Sequence, residues 1–331
     1  MRIARITAAA CAGLLLAGCG ATIESAAPSS PAAPVTITNC GKQTTFDRTP
    51  QRVVTNDIGI TEIMFALGLR DRLAGYTMNE DARGLETSPW RADFAKTRKL
   101  GKKLNTETAQ GVNADLVFAG WSYGFSQASG VTPETLAKQG IKSYLLSESC
   151  RNGSHRGIMA PLQALYTDIR NLGKLFKVQD RANRLITGYQ QKVAEAQARI
   201  PKNRPQPKVF LYDSGTDAPT SAGRYAAANE IIEKAGGRNI FADSPDTWVR
   251  YQWEPVAERE PDVVLINDYD SGQQHTAEDK RRFLLGYPTI AAVPAIKNKR
   301  FFALPYAALV ESPRNPDAIA ALADYLHRQF P

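Results

Sequence analysis

The sequence predicts an α/β protein of two doubly wound lobes joined by one long, stiff helix. Strands and helices alternate in both halves of the chain, one uninterrupted amphipathic stretch separates those halves, and a short motif recurs once in each. The 331 residues suffice for two ordinary domains. With 43% hydrophobic and 22% charged residues the composition is globular, so fibrous and wholly disordered architectures fail. A net charge of +8, spread without a dense basic block, gives no reason to expect nucleic-acid binding.

Arg2 and Arg5 precede the apolar residues 8–18 and then Cys19. That run is too short to cross a bilayer but suits the h-region of an export signal. Leu16-Ala17-Gly18-Cys19 resembles the lipobox of bacterial lipoproteins. The resemblance implies a signal peptide over 1–18 and a lipidated Cys19, whose two acyl chains anchor a protein without a transmembrane helix. Residues 19–40 then read as a flexible tether, rich in Ala, Pro and Ser as far as residue 35. With Cys11 in the signal and Cys19 acylated, Cys40 and Cys150 remain. The oxidising compartment favours a disulfide between them over two unrelated thiols.

Residues 41–177 form the expected N-terminal lobe. Arg52-Val53-Val54-Thr55 is a short buried strand, and residues 60–68 carry a helical stripe of Ile60, Ile63, Met64 and Leu67 closed by Gly68. Asp115-Leu116-Val117-Phe118-Ala119 is a second strand. A helix opens at Thr132-Pro133-Glu134 and stops at Gly140, and residues 141–146 follow as a strand. From 178 to 200 apolar residues fall at Val178, Ala182, Leu185, Ile186, Tyr189, Val193, Ala196 and Ile200, one helix roughly 35 Å long at 1.5 Å per residue. Pro201, Pro205 and Pro207 end it. Residues 201–331 then alternate again: a strand at Lys208-Val209-Phe210-Leu211-Tyr212, a helix over 226–235 with Gly236-Gly237 behind it, strands at 262–266 and 301–304, and a closing helix over 317–330. Both lobes are therefore expected to be Rossmann-like.

The recurring motif runs from Glu107 to Asp115-Leu-Val-Phe and from Glu254 to Asp262-Val-Val-Leu, with the same spacing in both. Each Glu stands at the front of a short helix, where the dipole favours a carboxylate, and each Asp opens a core strand. An aromatic follows each strand, Trp121 in one half and Tyr269 in the other. Helix capping alone explains one such glutamate; it does not explain a matching pair.

Thr49-Pro50-Gln51-Arg52-Val53-Val54-Thr55, followed by Thr61-Glu62-Ile63-Met64-Phe65-Ala66-Leu67-Gly68-Leu69, resembles the opening of the bacterial substrate-binding proteins that serve siderophore and cobalamin ABC importers. The similarity continues at residues 105–118, at Thr220-Ser221-Ala222-Gly223, at Gly236-Gly237-Arg238-Asn239-Ile240-Phe241 and at residues 254–266. It implies the class III periplasmic binding protein fold, with a ligand held between lobes and no catalysis. It also implies docking of one glutamate per lobe, Glu107 and Glu254, onto arginines of an ABC permease dimer coupled to its ATPase. Tyr76, Trp121 and Trp248 match positions that line the pocket of cobalamin-binding members.

Open α/β sheets place ligands at strand C-terminal ends. The candidates there are Asn56, Asp57, Tyr76, Trp121 and Tyr123 in the first lobe. In the second they are Tyr212, Arg224, Tyr225, Trp248, Arg250, Tyr251 and Tyr269. Rings suit a large planar or chelated ligand, and arginines suit carboxylate or catecholate oxygens. A ferric siderophore is the expected ligand, with cobalamin and then haem as alternatives; no resident cofactor or metal is expected, and the protein should be a monomer. Two other classes compete. Gly120-Trp121-Ser122-Tyr123-Gly124 matches a nucleophile elbow, with His327 and Asp262, Asp268 or Asp317 to complete a triad, but the following helix is expected only near Thr132. A zinc or manganese receptor would have to use His155, His275 and His327, too few for a convincing site. The cluster Lys280-Arg281-Arg282 reads as a solvated face, and no phosphate-cradling loop occurs.

Overall fold

Residues 33–79, 83–201 and 205–331 are described by a computed structural model. The expected signal peptide over residues 1–18, Cys19 and most of the expected tether lie outside the described residues. The last part of the expected tether is ordered: β1 (Val35–Asn39) pairs antiparallel with β2 (Lys42–Phe46), burying Ile37 and Phe46. The structured domain thus begins before the boundary expected at residue 40.

The N-terminal lobe is built on β3 (Val53–Asn56), β4 (Leu73–Thr77), β5 (Lys99–Gly101), β6 (Leu116–Ala119) and β7 (Lys142–Leu145). They form one parallel sheet in the order β5-β4-β3-β6-β7. Every residue of β3 and β6 is buried, as befits strands covered on both faces. The Ile58–Ala66 helix that follows β3 is buried on all sides, which is why its sequence reads as nearly continuous apolar text.

A small hairpin, β8 (Arg151–Asn152) with β9 (His155–Arg156), follows β7. Its base is tied down by the Cys40–Cys150 disulfide, with Cα atoms 5.2 Å apart and 110 residues between the cysteines. Closing a loop of that length stabilises by roughly 4–5 kcal/mol in the chain-entropy account.

The Pro161–Leu175 helix comes next, then the connecting helix Gln179–Ala198, which is 20 residues or about 30 Å long. The connection is therefore a helix pair, turned at Lys177 in the left-handed conformation, rather than a helix standing alone. The C-terminal lobe comprises β10 (Lys208–Tyr212), β11 (Thr220–Ala222), β12 (Arg238–Asn239), β13 (Trp248–Arg250), β14 (Val263–Asp268) and β15 (Phe301–Pro305). Its four-stranded parallel sheet runs β12-β10-β14-β15, while β11 and β13 pair as a separate ribbon. The closing helix Asn315–Gln329 packs on the connecting helix and on the Ala227–Lys234 helix.

Buried polar groups clasp the two lobes together. Glu62 of the first lobe receives the Arg314 guanidinium, Nε at 2.7 Å and Nη2 on the other oxygen. Glu148 and Glu311 exchange backbone donors: Glu148 N donates to Glu311 Oε2 at 2.8 Å, and Glu311 N donates to Glu148 Oε2 at 2.7 Å. Ala227 N, at the start of its helix, donates to Glu148 Oε1 at 2.9 Å. All four side chains lie within the core.

Candidate functional site

In a parallel sheet all strands end on one edge, and in this chain both sheets turn that edge toward the same cleft. Four strand ends line it and a fifth stands behind them. Asp57 follows β3, Trp121 follows β6, Asp213 follows β10, Tyr269 follows β14 and Tyr306 follows β15. The cleft encloses about 280 Å³, lined from the first lobe by Trp121 and Arg156 and from the second by Asp213, Trp248, Tyr269 and Tyr306, with Thr220, Thr247 and Val310 between them.

The backbone is strained where the first lobe meets this space. Trp121 has φ +51° and Asp57 φ +93°, both unusual for residues carrying a side chain. Such positions cost on the order of 1–3 kcal/mol each and persist where surroundings hold them. Trp121 N donates to Ser149 Oγ at 2.9 Å, and Asp57 caps the Ile58–Ala66 helix by accepting from Gly59 N at 2.7 Å.

The two tyrosines are held by carboxylates. Tyr306 donates its hydroxyl to Asp57 Oδ2 at 2.7 Å, across the lobe boundary. Tyr269 donates to Asp213 Oδ2 at 3.0 Å, and Asp213 also accepts from Asn267 Nδ2 at 2.7 Å and Ser214 Oγ at 2.8 Å. The two rings meet edge to face, centroids 5.4 Å apart. Burial, and then the Asp213 charge, push the Tyr269 phenol far above its usual pKa. Behind it Lys280 lies over the Tyr269 ring at 4.1 Å and donates Nζ to the carbonyls of Asp213 and Asn267 at 2.6 Å each. Lys280 is fully buried, which corrects its reading as part of a solvated face, whereas Arg282 is exposed as expected.

Of the residues singled out in the sequence, Trp121, Trp248 and Tyr269 line the cleft, Asp57 stands behind Tyr306, and Asn56 is buried beside it with Nδ2 on Thr77 Oγ1. Tyr123 lies on the helical turn Trp121–Gly124. The others go elsewhere. Tyr76 is buried with its ring 5.2 Å from Phe94. Tyr212 packs among Trp253 and Phe283, and Tyr251 stacks on Phe241 at 3.7 Å. Their rings serve the hydrophobic core, where burial of that much apolar area outweighs exposure to a cleft. Arg224 and Tyr225 line a separate groove beside Pro161 and Glu230, and Gly157 at φ +98° lies so close to Tyr225 that any side chain there would collide with it. Arg250 is exposed on β13 and does not line the cleft. Arg156, Asp213 and Tyr306 were missed. Position directly after a core strand was the available signal for the last two; Arg156 sits in a two-residue strand with no periodicity to read.

Glu107 and Glu254 are both exposed in the first turn of a helix, Thr106–Gly111 and Trp253–Arg259. Each helix runs into a parallel strand, β6 or β14, so each glutamate lies toward the edge where the strands of its sheet end.

Among the described residues His327 makes no hydrogen bond or ion pair with Asp262, Asp268 or Asp317. The helical turn Trp121–Gly124 follows β6 directly, earlier than the helix expected near Thr132, but the left-handed residue is Trp121 and not Ser122. His327 is exposed in the last turn of the closing helix. Asp262 accepts from Lys208 N, Asp268 from Ala277 N, and Asp317 from Lys192 Nζ. His155 lies beside Asp246 and His275 beside Asp270, and among the described residues no group of three or more His, Cys, Asp or Glu side chains converges. Among the described residues no helix is long and apolar enough to cross a membrane.

Comparison with known proteins agrees with this architecture. The periplasmic binding protein family matches residues 53–308. YvrC of Bacillus subtilis (strain 168), an uncharacterized ABC transporter substrate-binding lipoprotein, is 24% identical over 278 residues, covering 82% of this chain and 81% of its own. A vitamin B12-binding protein of Photorhabdus laumondii is 26% identical over 223 residues, 66% of this chain and 71% of that protein. Among solved structures, an ABC-type Fe3+-hydroxamate transport system from Saccharomonospora viridis shares the fold with a TM-score of 0.73 at 23% identity, covering 89% of this chain and 99% of that one. With the family match extending over well more than half of a chain folded as two such lobes, the chain belongs to the periplasmic binding protein family, as a binding protein and not an enzyme.

Proposed function

We propose that the chain captures a ferric siderophore between its lobes and hands it to an ABC permease. As a periplasmic binding protein it is the substrate-binding component of an ABC importer, partnered by a permease and its ATPase. The observation that carries the reading is an aromatic cleft at facing strand ends combined with one exposed carboxylate per lobe on the same sheet edges. The cleft volume, about 280 Å³, lies at the small end of ligand pockets, which run about 300–1,000 Å³. That size favours a compact chelate over a corrinoid, as does the likeness in fold to an Fe3+-hydroxamate transport protein. Cobalamin is the second reading, supported by the B12-binding relatives and by Trp121 and Trp248 in the cleft. The buried interlobe clasp implies capture with small hinge angles. Cys19 would anchor the domain by lipid on the periplasmic or extracellular face.

Glu107 and Glu254 are proposed to meet permease arginines. Exposed ion pairs contribute about 0.2–1 kcal/mol each, so two set orientation more than affinity. Replacing both by Ala should leave the affinity of the purified protein for ferrioxamine B unchanged and abolish its uptake by cells. Undiminished uptake by the double variant refutes the docking role.

A further inference from the structure

Among the described residues the charges at the cleft balance. Arg156 and Asp213 line it, Lys280 stands behind Tyr269, and Asp57 stands behind Tyr306, two positive groups against two negative ones. The arginines expected to greet an anionic chelate, Arg224 and Arg250, are not among its lining residues. The tyrosines add a direction. A phenol has one proton to donate, and in both Tyr269 and Tyr306 that proton is directed to an aspartate. What each hydroxyl has left to offer a guest is its lone pairs. Asp213 is itself fixed by Asn267 and Ser214, and Asp57 by the backbone of Gly59, so the orientation is built in from a second layer.

We infer that Asp57 and Asp213 are positioning residues that hold Tyr306 and Tyr269 as hydrogen-bond acceptors, so that the cleft selects a chelate of low net charge bearing amide, ammonium or hydroxyl donors and rejects a polyanionic one. This rests on the capture reading above and specifies its ligand. A polyanion entering here would meet acceptor oxygens and, among the described residues, no surplus of cations, and desolvated charge without a partner is expensive. A donor-bearing guest instead satisfies the lone pairs that closing the cleft removes from water.

The test is fluorescence titration of the purified protein with ferrioxamine B, a cationic trihydroxamate that keeps a free ammonium, and with ferric enterobactin, a triply anionic tris-catecholate. Cobalamin and haem serve as further probes. Wild type should bind ferrioxamine B at least about tenfold more tightly, the worth of one exchanged donor–acceptor contact. Asp213→Asn lets the amide donate to Tyr269 and turns the phenol proton toward the cleft. It should narrow the ratio between the two probes by about tenfold. Tyr269→Phe, which removes the acceptor without reversing it, should weaken ferrioxamine B and bring no gain for ferric enterobactin, and it carries the test if Asp213→Asn does not fold. A merely structural role for Asp213 would lower both affinities together and leave the ratio alone. Equal or tighter binding of ferric enterobactin by wild type, or an unchanged ratio in a folded Asp213→Asn, overturns the inference while capture stands. Binding of cobalamin, a neutral donor-bearing corrinoid, in place of ferrioxamine B overturns the iron reading and upholds the acceptor wall. Binding of none of the four overturns both.

Discussion

Replacing Glu311 by Gln should flatten the pH dependence of stability rather than weaken the fold. Glu311 Oε2 accepts from Glu148 N, while Oε1 is buried without a donor from the protein and its carboxyl neighbours Asp168. Asp168 is already committed to the Tyr144 hydroxyl at 2.6 Å and to Ser147 N at 2.8 Å. Two carboxyls in so dry a place must share a proton, and burial, then the Asp168 charge, holds Glu311 well above the usual carboxylate range. Burial likewise raises Glu148 to about 8. The folded state therefore keeps protons that the unfolded chain gives up near pH 4.3. Stability is fully present below that point and falls as pH rises, by about 1.4 kcal/mol per unit for each retained proton, until the folded pKa is passed. In Glu311→Gln the amide oxygen takes over the bond from Glu148 N, and the NH₂ donates to Asp168 in place of the titrating proton. Urea unfolding followed by tryptophan fluorescence should find the variant within about 1 kcal/mol of wild type at pH 5 and more stable than wild type at pH 8, the gain growing by up to about 1.4 kcal/mol per pH unit. Glu148→Gln is the contrast. Both oxygens of Glu148 accept backbone N–H groups, so an NH₂ there faces a donor, and a loss of about 1–3 kcal/mol is expected above its folded pKa of about 8, where wild type presents two acceptor oxygens. A Glu311→Gln protein less stable than wild type at pH 8 refutes the shared proton.

Two further outcomes follow from the same junction. Arg314→Ala strands the Glu62 carboxylate in the core and removes bonds to Thr87 Oγ1 and Gly84 O, so thermal or urea unfolding should register a loss of about 3–5 kcal/mol. Cys40→Ser opens the 110-residue loop and should cost roughly 4–5 kcal/mol. Because the bridge tethers the hairpin carrying Arg156, it should also weaken ligand binding, read by titration of the folded variant.

The sheets were legible in the sequence because their central strands are short apolar runs between turn residues, as at β3, β6, β10 and β14. The edges were not. β4 contains Gly75 and begins half-buried, and β5 is three residues long, so neither gives a periodic signal. The Pro161–Leu175 helix was overlooked although Leu162, Leu165, Ile169 and Leu172 mark its buried stripe behind a proline at its first position. At the site the difficulty was of another kind. Aromatic type at a strand end does not tell a cleft wall from a core ring, because the strand's alternation decides which face it joins; Tyr212 at the end of β10 points into the core, and Asp213 one residue on reaches the cleft. The Glu148–Glu311 clasp joins residues 163 apart, beyond the reach of any local pattern.

Tryptophan quenching of a soluble form, residues 20–331, by ferrioxamine B probes the interlobe site directly, since Trp121 and Trp248 face each other's lobe across it whereas Trp253 is buried in the second core. Saturable quenching whose amplitude drops in Trp121→Phe and in Trp248→Phe is the expected result. Saturable quenching that survives both replacements together would put the guest somewhere other than between the lobes.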